Sequence, residues 1–467
     1  MYLNLNEKLD LLPPDYKQEL LPAIRNEFLK TNKTIVVLDD DPTGTQTCKD
    51  VTVLTTWETK EITEELKTNP SILFILTNSR SLPEREATAL ASKIGDHLKA
   101  AIKESGREVM VISRSDSTLR GHFPTEVDAL AKALDRSGAI RVLIPAFIEG
   151  GRYTIDDVHY LVEHESLVPV SDTPFAKDLV FGYKQANLKL WVEEKTKGKI
   201  KAPEVISISL EDIRTGGPTQ VVEKLIGINV GGVCIVNAVS YRDLEVLAMG
   251  MLLAEKGGKN LVYRSSASFV SILAGQEAGK AFIPKFFGQV TGHGSLIVVG
   301  SHVPKTTLQL NTLLAQGNQR SIEINVKVVL NESETESLTH QVSNQIDLWL
   351  ALDYEVIIYT SRQLETGADP TDNLRINAKV SDYLVNIVQG LRIRPRFIIA
   401  KGGITASDVA TKALKSKKAR VLGPIIPGVP VWQLDPESKF PGLMYVVFPG
   451  NVGGEEALVE VLEKLKD

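Results

Sequence analysis

Three consecutive carboxylates, Asp39, Asp40 and Asp41, follow an apolar run in the stretch VVLDDDPTGTQT at residues 36–47. Neighbouring carboxylates repel one another, so such a run needs cationic partners or a bound ligand. Pro42 fixes the turn that follows. The stretch therefore predicts one of three things: a turn whose Asp side chains cap backbone amides, a metal site, or a substrate site at a strand end.

Two further polar clusters follow apolar runs in the first half of the chain, SRSDSTLRGHFPTE at 113–126 and TNSRSLP at 77–83. Guanidinium groups bind carboxylates through paired hydrogen bonds, and Asp and hydroxyl groups bond sugar hydroxyls. Together the three strand ends predict one site for a polyhydroxy acid, although three unrelated polar loops also fit the pattern. The candidate residues in these two clusters are Asn78, Ser79, Arg80, Ser81, Arg114, Asp116, Ser117, Thr118 and Arg120.

Three glycine-containing turns follow apolar runs in the second half of the chain, at 298–309, 397–408 and 446–457. The first is not a Walker phosphate loop, because Pro304 rather than glycine precedes Lys305. A strand, a glycine turn and a helix start still present backbone N–H groups to an anion. Each turn alone is common geometry, but three of them predict a nucleotide-phosphate pocket. The candidate residues are Gly300, Ser301, Gly402, Gly403, Thr405 as a helix cap, Gly450, Asn451, Gly453 and Gly454.

The elements that must position these residues alternate between short apolar runs and helical stretches such as 83–105. Unbroken apolar runs suit strands that are buried on both faces of a parallel sheet. The alternation predicts βαβ units. The expected fold class is α/β, with two domains that each have a mostly parallel sheet flanked by helices, and a ligand cleft between them. The predicted strands are 34–38, 71–77, 108–113, 140–145, 232–237, 260–265, 296–300, 355–360, 396–400 and 444–450.

Length and composition set the expected number of domains and exclude several classes of protein. The chain has 467 residues, whereas one hydrophobic core fills roughly 250–300 residues. A net charge of -5 gives no basic footprint for nucleic acid, and no apolar run approaches the roughly 18 residues of a membrane helix. Cys48 and Cys234 are far apart, which argues against a disulfide framework or structural zinc site and fits a reducing, cytoplasmic location.

The predicted domain boundaries follow from the breaks in the alternating pattern. A helical arm occupies residues 1–33, and the acid-binding domain occupies 34–287. The glycine-rich stretch 288–295 is the predicted linker. The nucleotide-binding domain occupies 296–467.

Six motifs stand in order along the chain: DDDPTG at 39–44, TNSRSL at 77–82, SRSDSTLRG at 113–121, GSHVPKT at 300–306, KGGITASD at 401–408 and PGNVGG at 449–454. Together they resemble the four-carbon acid sugar kinase family, from about residue 34 to residue 460. The resemblance implies an N-terminal domain for the sugar acid and a C-terminal domain for ATP. It also implies Mg²⁺ that arrives with ATP without dedicated protein ligands, and small-molecule partners rather than nucleic acid or membrane. It leaves a homodimer open.

When the family motifs are matched to this sequence position by position, the resemblance implies two sets of binding residues. The sequence departs from the family pattern at two positions. Ile404 stands where many members have Glu, so a polar or metal-linked role is lost there. Arg114 stands where Lys is usual, which keeps the charge and changes its geometry. The sugar-acid set is Asp40, Asp41, Thr43, Gly44, Arg80, Arg114, Asp116, Ser117, Thr118 and Arg120, and the ATP set is Ser301, Gly402, Gly403, Ile404, Thr405, Gly450 and Asn451.

The expected reaction is phosphoryl transfer from ATP to a hydroxyl, taken as the terminal one, of a four-carbon sugar acid or its oxo derivative. Such transfer needs aligned reactants, neutralised phosphate charge and a group that takes the hydroxyl proton. Arg114 or Arg120 would clamp the substrate carboxylate. Asp40 or Asp116 would orient or deprotonate the hydroxyl, and Asp40 is favoured because it stands at a strand end beside a glycine turn.

Two alternatives to a kinase remain open at this point. The chain could be a sugar-acid binding or regulatory protein without catalysis. It could also be a metal-dependent hydrolase or aldolase whose metal ligands are Asp39 to Asp41.

Overall fold

The computed structural model describes residues 2–277, 291–331, 335–363, 365–367 and 370–466.

The described chain forms two compact units, and the chain crosses between them more than once. The first unit contains the described residues up to Asp40 and from Thr56 to 277. The second unit contains Asp41–Thr55 and the described residues from 291 onward. The sequence analysis assigned 34–287 to one domain, whereas the structure groups Asp41–Thr55 with the second unit. The reason is strand pairing, because a strand in this segment runs antiparallel to a strand near residue 420.

The predicted α/β class with two domains is confirmed. In the described residues, the main sheet of the first unit has seven strands, and all of its neighbouring strands are parallel. Six of these strands are the predicted apolar runs, and their side chains are mostly buried on both faces. The short strand Ile206–Ile208 was not predicted and is only partly buried. In order across the sheet the strands are β10 (Ile206–Ile208), β11 (Val233–Val236), β6 (Ile140–Ile144), β12 (Leu261–Ser265), β5 (Glu108–Arg114), β2 (Lys33–Asp39) and β4 (Ile72–Leu76).

The first unit also contains a small antiparallel sheet. Its strands in order are β1 (Leu3–Asn4), β9 (Ser166–Pro169), β8 (Val158–Glu163) and β7 (Arg152–Ile155). Within the predicted helical arm, α2 buries Ile24 and Phe28, and the helix predicted at 83–105 is α4. The helices of this unit are α1 (Leu5–Asp10), α2 (Leu21–Thr31), α3 (Thr59–Lys67), α4 (Glu84–Ser105), α5 (Thr125–Ala133), α6 (Leu188–Lys195), α7 (Leu210–Arg214), α8 (Gly217–Ile226), α9 (Tyr241–Lys256) and α10 (Ala267–Leu273).

The second unit has a mixed sheet, because a parallel half continues into an antiparallel half that the sequence analysis did not predict. In order the strands are β14 (Arg320–Ile324), β15 (Glu355–Thr360), β13 (Ser295–Val299), β16 (Phe397–Lys401), β19 (Met444–Phe448), β18 (Val429–Leu434), β17 (Lys418–Ile426) and β3 (Val51–Leu54). The helices are α11 (Pro304–Ala315), α12 (Val326–Leu330), α13 (Thr335–Ala351), α14 (Pro370–Gly390), α15 (Gly403–Asp408) and α16 (Ala457–Lys466). The predicted linker at 288–295 begins among residues that the structure does not describe.

Each unit has its own hydrophobic core. In the first unit, Leu143 and Ile235 of the sheet pack with Trp191 of α6. In the second unit, Ile399 and Val446 of the sheet lie in one cluster with apolar residues of α11 and α16. These cores hold the strand ends in fixed positions. Over the described part of the chain, no helix combines the length and the apolar character needed to cross a membrane.

Both parallel sheets contain a point at which the chain changes its direction of travel across the sheet. In the first unit the chain passes from β2 to β4 on one side and then to β5 on the other. In the second unit it passes from β13 to β14 and β15 on one side, and later to β16 and β19 on the other. Ligands of open α/β sheets bind beyond the carboxyl ends of strands at such points. The carboxyl ends of β2 and β5, and those of β13 and β16, carry the candidate residues.

Candidate functional site

Buried charged groups meet beyond the carboxyl ends of β2 and β5 in the first unit. Arg114 Nη1 lies 3.2 Å from Asp39 Oδ1 and 3.4 Å from Asp40 Oδ1. Arg80, from the turn after β4, brings its Nη2 to 3.2 Å from the same oxygen of Asp40. The two guanidinium groups offset the repulsion between the adjacent carboxylates. The structure thus supplies cationic partners of the kind that the sequence demanded.

Asp116 joins two arginines within the turn that follows β5. Its Oδ1 lies 3.4 Å from Arg80 Nη1, its Oδ2 lies 2.9 Å from Arg120 Nε, and the Thr118 hydroxyl donates a hydrogen bond to Oδ2. Burial by itself would raise the pKa of Asp116, but Arg120 and Arg80 outweigh burial and hold the pKa well below its usual range. Arg120 also lies 3.4 Å from Asp178. Asp116 thus holds Arg80 and Arg120 in place, and its predicted catalytic role stays a prediction.

The backbone of the turn after β5 is held from neighbouring segments of the same unit. The carbonyl of Ser117 faces Nε2 of the buried His159 at 2.7 Å, and the Tyr183 hydroxyl donates to the carbonyl of Thr118 at 2.6 Å. Burial lowers the pKa of His159 to about 4, so this ring is neutral near pH 7. The histidine therefore anchors the turn as a neutral hydrogen-bonding group.

Glu126, on α5, belongs to the same cluster although the sequence analysis did not select it. The Ser79 hydroxyl lies 2.5 Å from Glu126 Oε1 and donates to it. Burial, and after it the negative charge of Asp40, raises the pKa of Glu126 to about 7. A carboxyl group with such a pKa exchanges its proton near neutral pH. The residue lies within the stretch 113–126, but its helical position gave no sequence signal of burial beside Asp40.

Arg264, in β12, is a second group that the sequence analysis missed. It is buried, its guanidinium group lies over the rings of Phe123 and Trp191, at 5.6 and 5.1 Å from their centroids, and its Nη2 donates to the carbonyl of Arg120 at 3.0 Å. Burial lowers the pKa of Arg264 to about 10, which leaves it charged near pH 7. The available signal was an arginine near the end of an otherwise apolar run, NLVYRS. Arg152, at the start of β7, is also buried. Burial lowers the pKa of Arg152, and the charge of Asp116 opposes that shift.

In the second unit, the predicted nucleotide residues of three strand ends come together. A Cβ atom on Gly450 would lie 2.7 Å from Ser301 Oγ, and one on Gly402 would lie 3.0 Å from Ser301 Cβ and 3.4 Å from Thr405 Oγ1. Gly402 has a φ of +120°, a conformation that favours glycine. A side chain on Gly300 would collide with Thr405. The three turns therefore approach one another closely because they carry glycine, as a backbone cradle for an anion requires.

Asp41, Thr43 and Gly44, which were assigned to the sugar acid, lie in the second unit with the nucleotide turns. Asp41 Oδ1 accepts a hydrogen bond from the Thr43 backbone at 2.8 Å, and this caps the short 3₁₀ turn Pro42–Thr45. A Cβ atom on Gly403 would collide with the Asp41 carboxylate. The three carboxylates are thus divided, with Asp39 and Asp40 in the first unit and Asp41 against a nucleotide turn.

Lys401 is a fully buried residue that directly precedes the Gly402–Gly403 pair. Its Nζ donates to the carbonyl of Pro449 at 2.6 Å and lies 3.7 Å from the centroid of the Phe448 ring. Burial, and after it the charge of Lys305, lowers the pKa of Lys401 to about 6. The sequence motif KGGITASD contains this lysine, but the sequence analysis selected only residues 402–405 from the motif.

The remaining predicted nucleotide residues lie at the same turns with different exposures. Helix α15 begins at Gly403 with Gly402 at its N-cap, so Thr405 lies inside the helix and the prediction that it caps the helix is wrong. Ile404 is exposed and Asn451 is half-buried. Their contacts with a nucleotide stay predictions.

The metal-site alternative requires Asp39, Asp40 and Asp41 to converge on one ion. Asp39 and Asp40 instead share the guanidinium group of Arg114, and Asp41 lies against Gly403. Over the described ranges, no group of three or more His, Cys, Asp or Glu residues is arranged to hold a metal ion.

Comparison with family models matches both halves of the chain. A model described as the sugar-binding N-terminal domain matches residues 35–273, and a model described as the nucleotide-binding C-terminal domain matches residues 296–458. The chain belongs to the four-carbon acid sugar kinase family. Within this family, the sugar-binding match covers most of the first unit together with residues 41–55 of the second, and the nucleotide-binding match lies in the second unit. No curated protein matches the sequence.

Two solved structures resemble this family member along nearly their whole length. A Haemophilus influenzae protein of the DUF1537 family shares 18% identity, covers 92% of this chain and 99% of its own, and gives a TM-score of 0.59. A Salmonella typhimurium LT2 protein with the provisional name tRNA synthase shares 16% identity, covers 91% of this chain and 98% of its own, and gives a TM-score of 0.66. At these identities the two structures establish the fold alone.

Proposed function

We propose that this protein is a kinase that transfers a phosphoryl group from ATP to a hydroxyl, the terminal one, of a four-carbon sugar acid or its oxo derivative. One observation carries the proposal: a buried cluster of aspartates and arginines occupies the switch point of the unit with the sugar-binding match. The nucleotide-binding match on the second unit supports ATP as the other reactant. We assign sugar-acid binding to the first unit and nucleotide binding to the second.

In this proposal Asp40 orients the attacking hydroxyl and accepts its proton. Arg80 and Arg114 both contact Asp40 Oδ1, so the carboxylate is held in one orientation at the strand end. A carboxylate in a fixed position can align a hydroxyl for transfer, which is most of what phosphoryl transfer asks of a protein. Asp116 acts indirectly, because its ion pairs position the side chains of Arg80 and Arg120.

The second unit fits a nucleotide phosphate through its backbone. Side chains at Gly402 and Gly450 would intrude on Ser301, so glycine at both positions lets the three turns lie close together. The Ser301 hydroxyl lies 3.3 Å from the Thr306 hydroxyl, which also donates to the Gly450 carbonyl at 2.8 Å, and this network fixes the turns. Bound Mg²⁺–ATP would supply the phosphoryl group and neutralise its charge.

A substrate panel tests the proposal. Purified full-length protein is mixed with ATP and Mg²⁺, and ADP release is measured with tetronic acids, oxo-tetronic acids and, as controls, the matching uncharged tetritols. We expect at least one acid to stimulate ADP release well above the rate with ATP alone, while the tetritols do not. If no four-carbon acid stimulates ADP release, the kinase proposal fails.

A further inference from the structure

The arginines of the first-unit site fall into two groups. Arg80, Arg114 and Arg120 each lie within ion-pair distance of two aspartates. Arg152 and Arg264 are equally buried, yet neither forms an ion pair with any residue in the described part of the chain. A guanidinium group taken out of water without a carboxylate partner costs free energy, because its N–H donors and its charge lose hydration. Such a group therefore marks a position where an anion would be stabilising.

The two arginines differ in what surrounds them. Arg152 Nη1 donates to the carbonyl of Gly150 at 2.5 Å, and its guanidinium lies over the Phe147 ring at 5.6 Å, so it is turned toward its own loop. Arg264 makes, among the described residues, a single guanidinium hydrogen bond, from Nη2 to a backbone carbonyl at 3.0 Å. Its remaining donors suit the two oxygens of a carboxylate.

Arg264 and Asp40 both lie close to Gly121. Gly121 has a φ of +113°, and a Cβ atom there would lie 3.3 Å from Asp40 Oδ2 and 3.8 Å from Arg264 Nη2. The carboxylate and the guanidinium group thus border the same small space, from which a side chain is absent. A ligand that presents a hydroxyl to Asp40 can present a carboxylate to Arg264 only if the two groups are a few carbon atoms apart.

We propose that Arg264 is the residue that recognises the carboxylate of the sugar acid and thereby selects acids over neutral polyols. The inference rests on the proposed function for the class of ligand. It reassigns the carboxylate clamp from Arg114 and Arg120, because those two guanidinium groups are already engaged by aspartates. The planar fork of arginine provides two parallel hydrogen bonds to a carboxylate.

The charge balance of the cluster agrees with a monoanionic ligand. Five arginines, the three paired ones with Arg152 and Arg264, face the aspartates at 39, 40, 116 and 178. Glu126 is about half protonated near pH 7, so it supplies only part of the missing negative charge. When Glu126 is protonated, one carboxylate of the ligand makes five carboxylates against five arginines, whereas a neutral polyol leaves one positive charge in excess.

Binding without nucleotide tests this assignment. Titration calorimetry on the full-length protein at pH 7 uses D-erythronate and L-threonate, and then the neutral amide of whichever acid binds more tightly. The variants are Arg264→Gln, which removes the charge, and Arg264→Lys, which keeps the charge without the fork. The matched control is Arg141→Gln, at the amino end of the neighbouring strand β6, where Arg141 pairs with Asp128 at 2.6 Å. Thermal unfolding of each variant reports whether it is folded.

We expect the wild-type protein to prefer the acid over its amide. Arg264→Gln should weaken acid binding at least tens-fold, in line with the loss of a buried charge pair, while amide binding changes little. Arg264→Lys should recover part of the selectivity, and Arg141→Gln should retain all of it. Equal weakening of acid and amide, or unchanged acid binding, overturns the assignment, as does a wild-type protein that binds neither acid.

Two further outcomes remain informative. If Arg264→Gln does not fold, Arg264→Lys decides: a fall of at least fivefold in acid selectivity supports the assignment, and unchanged selectivity overturns it. ADP release is scored separately. A protein that binds acids selectively through Arg264 but releases no ADP refutes the kinase proposal and leaves the carboxylate assignment standing.

Discussion

The first unit gathers buried charges at its sheet edge, whereas the second unit gathers glycines at the corresponding edge. In the first, Arg114 and Arg80 share the carboxylate of Asp40. In the second, Gly402 and Gly450 bring backbone close to Ser301. The same βαβ topology thus supports two kinds of recognition. Side-chain charges can distinguish the groups of a small polar ligand, while backbone N–H groups accept any phosphate of suitable shape.

The two units also contain buried titratable groups with opposite pKa shifts. Burial raises the pKa of Glu126 to about 7 in the first unit and lowers the pKa of Lys401 to about 6 in the second. In each case burial favours the neutral form. Glu126 therefore binds more protons in the folded than in the unfolded protein, and Lys401 binds fewer. Their contributions to the free energy of unfolding should change with pH in opposite directions.

The largest expected effect is on catalysis by the first unit. Asp40→Asn keeps the shape of the side chain but removes the proton acceptor, so turnover should fall about 10²- to 10⁴-fold. ATP affinity, which we assign to the second unit, should stay within about twofold. Steady-state ADP release and nucleotide titration measure the two quantities, and Asp96→Asn, on the exposed face of α4, is the matched control. Near-full turnover by Asp40→Asn would refute the catalytic role of Asp40 and favour a structural role for Asp39 and Asp40 in the turn.

The next effect concerns Lys401 in the second unit. Because its folded pKa is lowered from 10.5 to about 6, the wild-type protein should gain stability as pH rises from about 6 toward 10. Relative to Lys401→Met, the free energy of unfolding should rise by about 1.4 kcal/mol per pH unit, or about 4 kcal/mol between pH 6 and 9. Urea unfolding at several pH values measures it. The exposed Lys327→Met serves as control, and parallel pH profiles for wild type and Lys401→Met would refute the shifted pKa.

Glu126 should produce a somewhat smaller effect of opposite sign. Its folded pKa is raised from 4.5 to about 7, so its stabilising contribution is complete below about pH 4.5 and is lost as pH rises to 7. Relative to Glu126→Gln, wild-type stability should fall by about 3 kcal/mol across that interval. The same unfolding measurement applies, with the exposed Glu86→Gln on α4 as control. A profile for Glu126→Gln that falls as steeply as the wild type would contradict the assignment.

The smallest effect is steric and tests the glycine turns. Gly403→Ala places a methyl group against the Asp41 carboxylate, which must move. Overpacking of this kind costs about 1–3 kcal/mol, and we expect the cost to fall on the nucleotide-bound turn. ATP affinity should then fall by about 5- to 160-fold while sugar-acid affinity is kept. Gly454→Ala is the matched control, because a Cβ atom there meets nothing within 4 Å. Unchanged ATP affinity in folded Gly403→Ala would remove this turn from the nucleotide site.

Local sequence was sufficient to predict the buried strands of both parallel sheets, but not the partly exposed edge strands β10 and β14. A strand buried on both faces has no polar position, so runs such as 34–38 and 355–360 are readable without tertiary information. The grouping of Asp40, Arg80 and Arg114 was also predictable, because the carboxyl ends of neighbouring parallel strands meet at one edge. The antiparallel strands of the second unit were harder to predict, because their pairing joins segments as distant as 51–54 and 418–426.

The types of the chemical groups and their placement at strand ends were determined by the sequence itself. The partners of those groups were decided by the tertiary structure. Asp41 leaves its neighbours and lies against Gly403 because its segment is paired into the second unit. Glu126, Arg264 and Lys401 acquire their properties from burial beside residues that are distant in sequence. Free energies of desolvation and of charge interaction depend on all surrounding atoms, so no local pattern of residue types contains them.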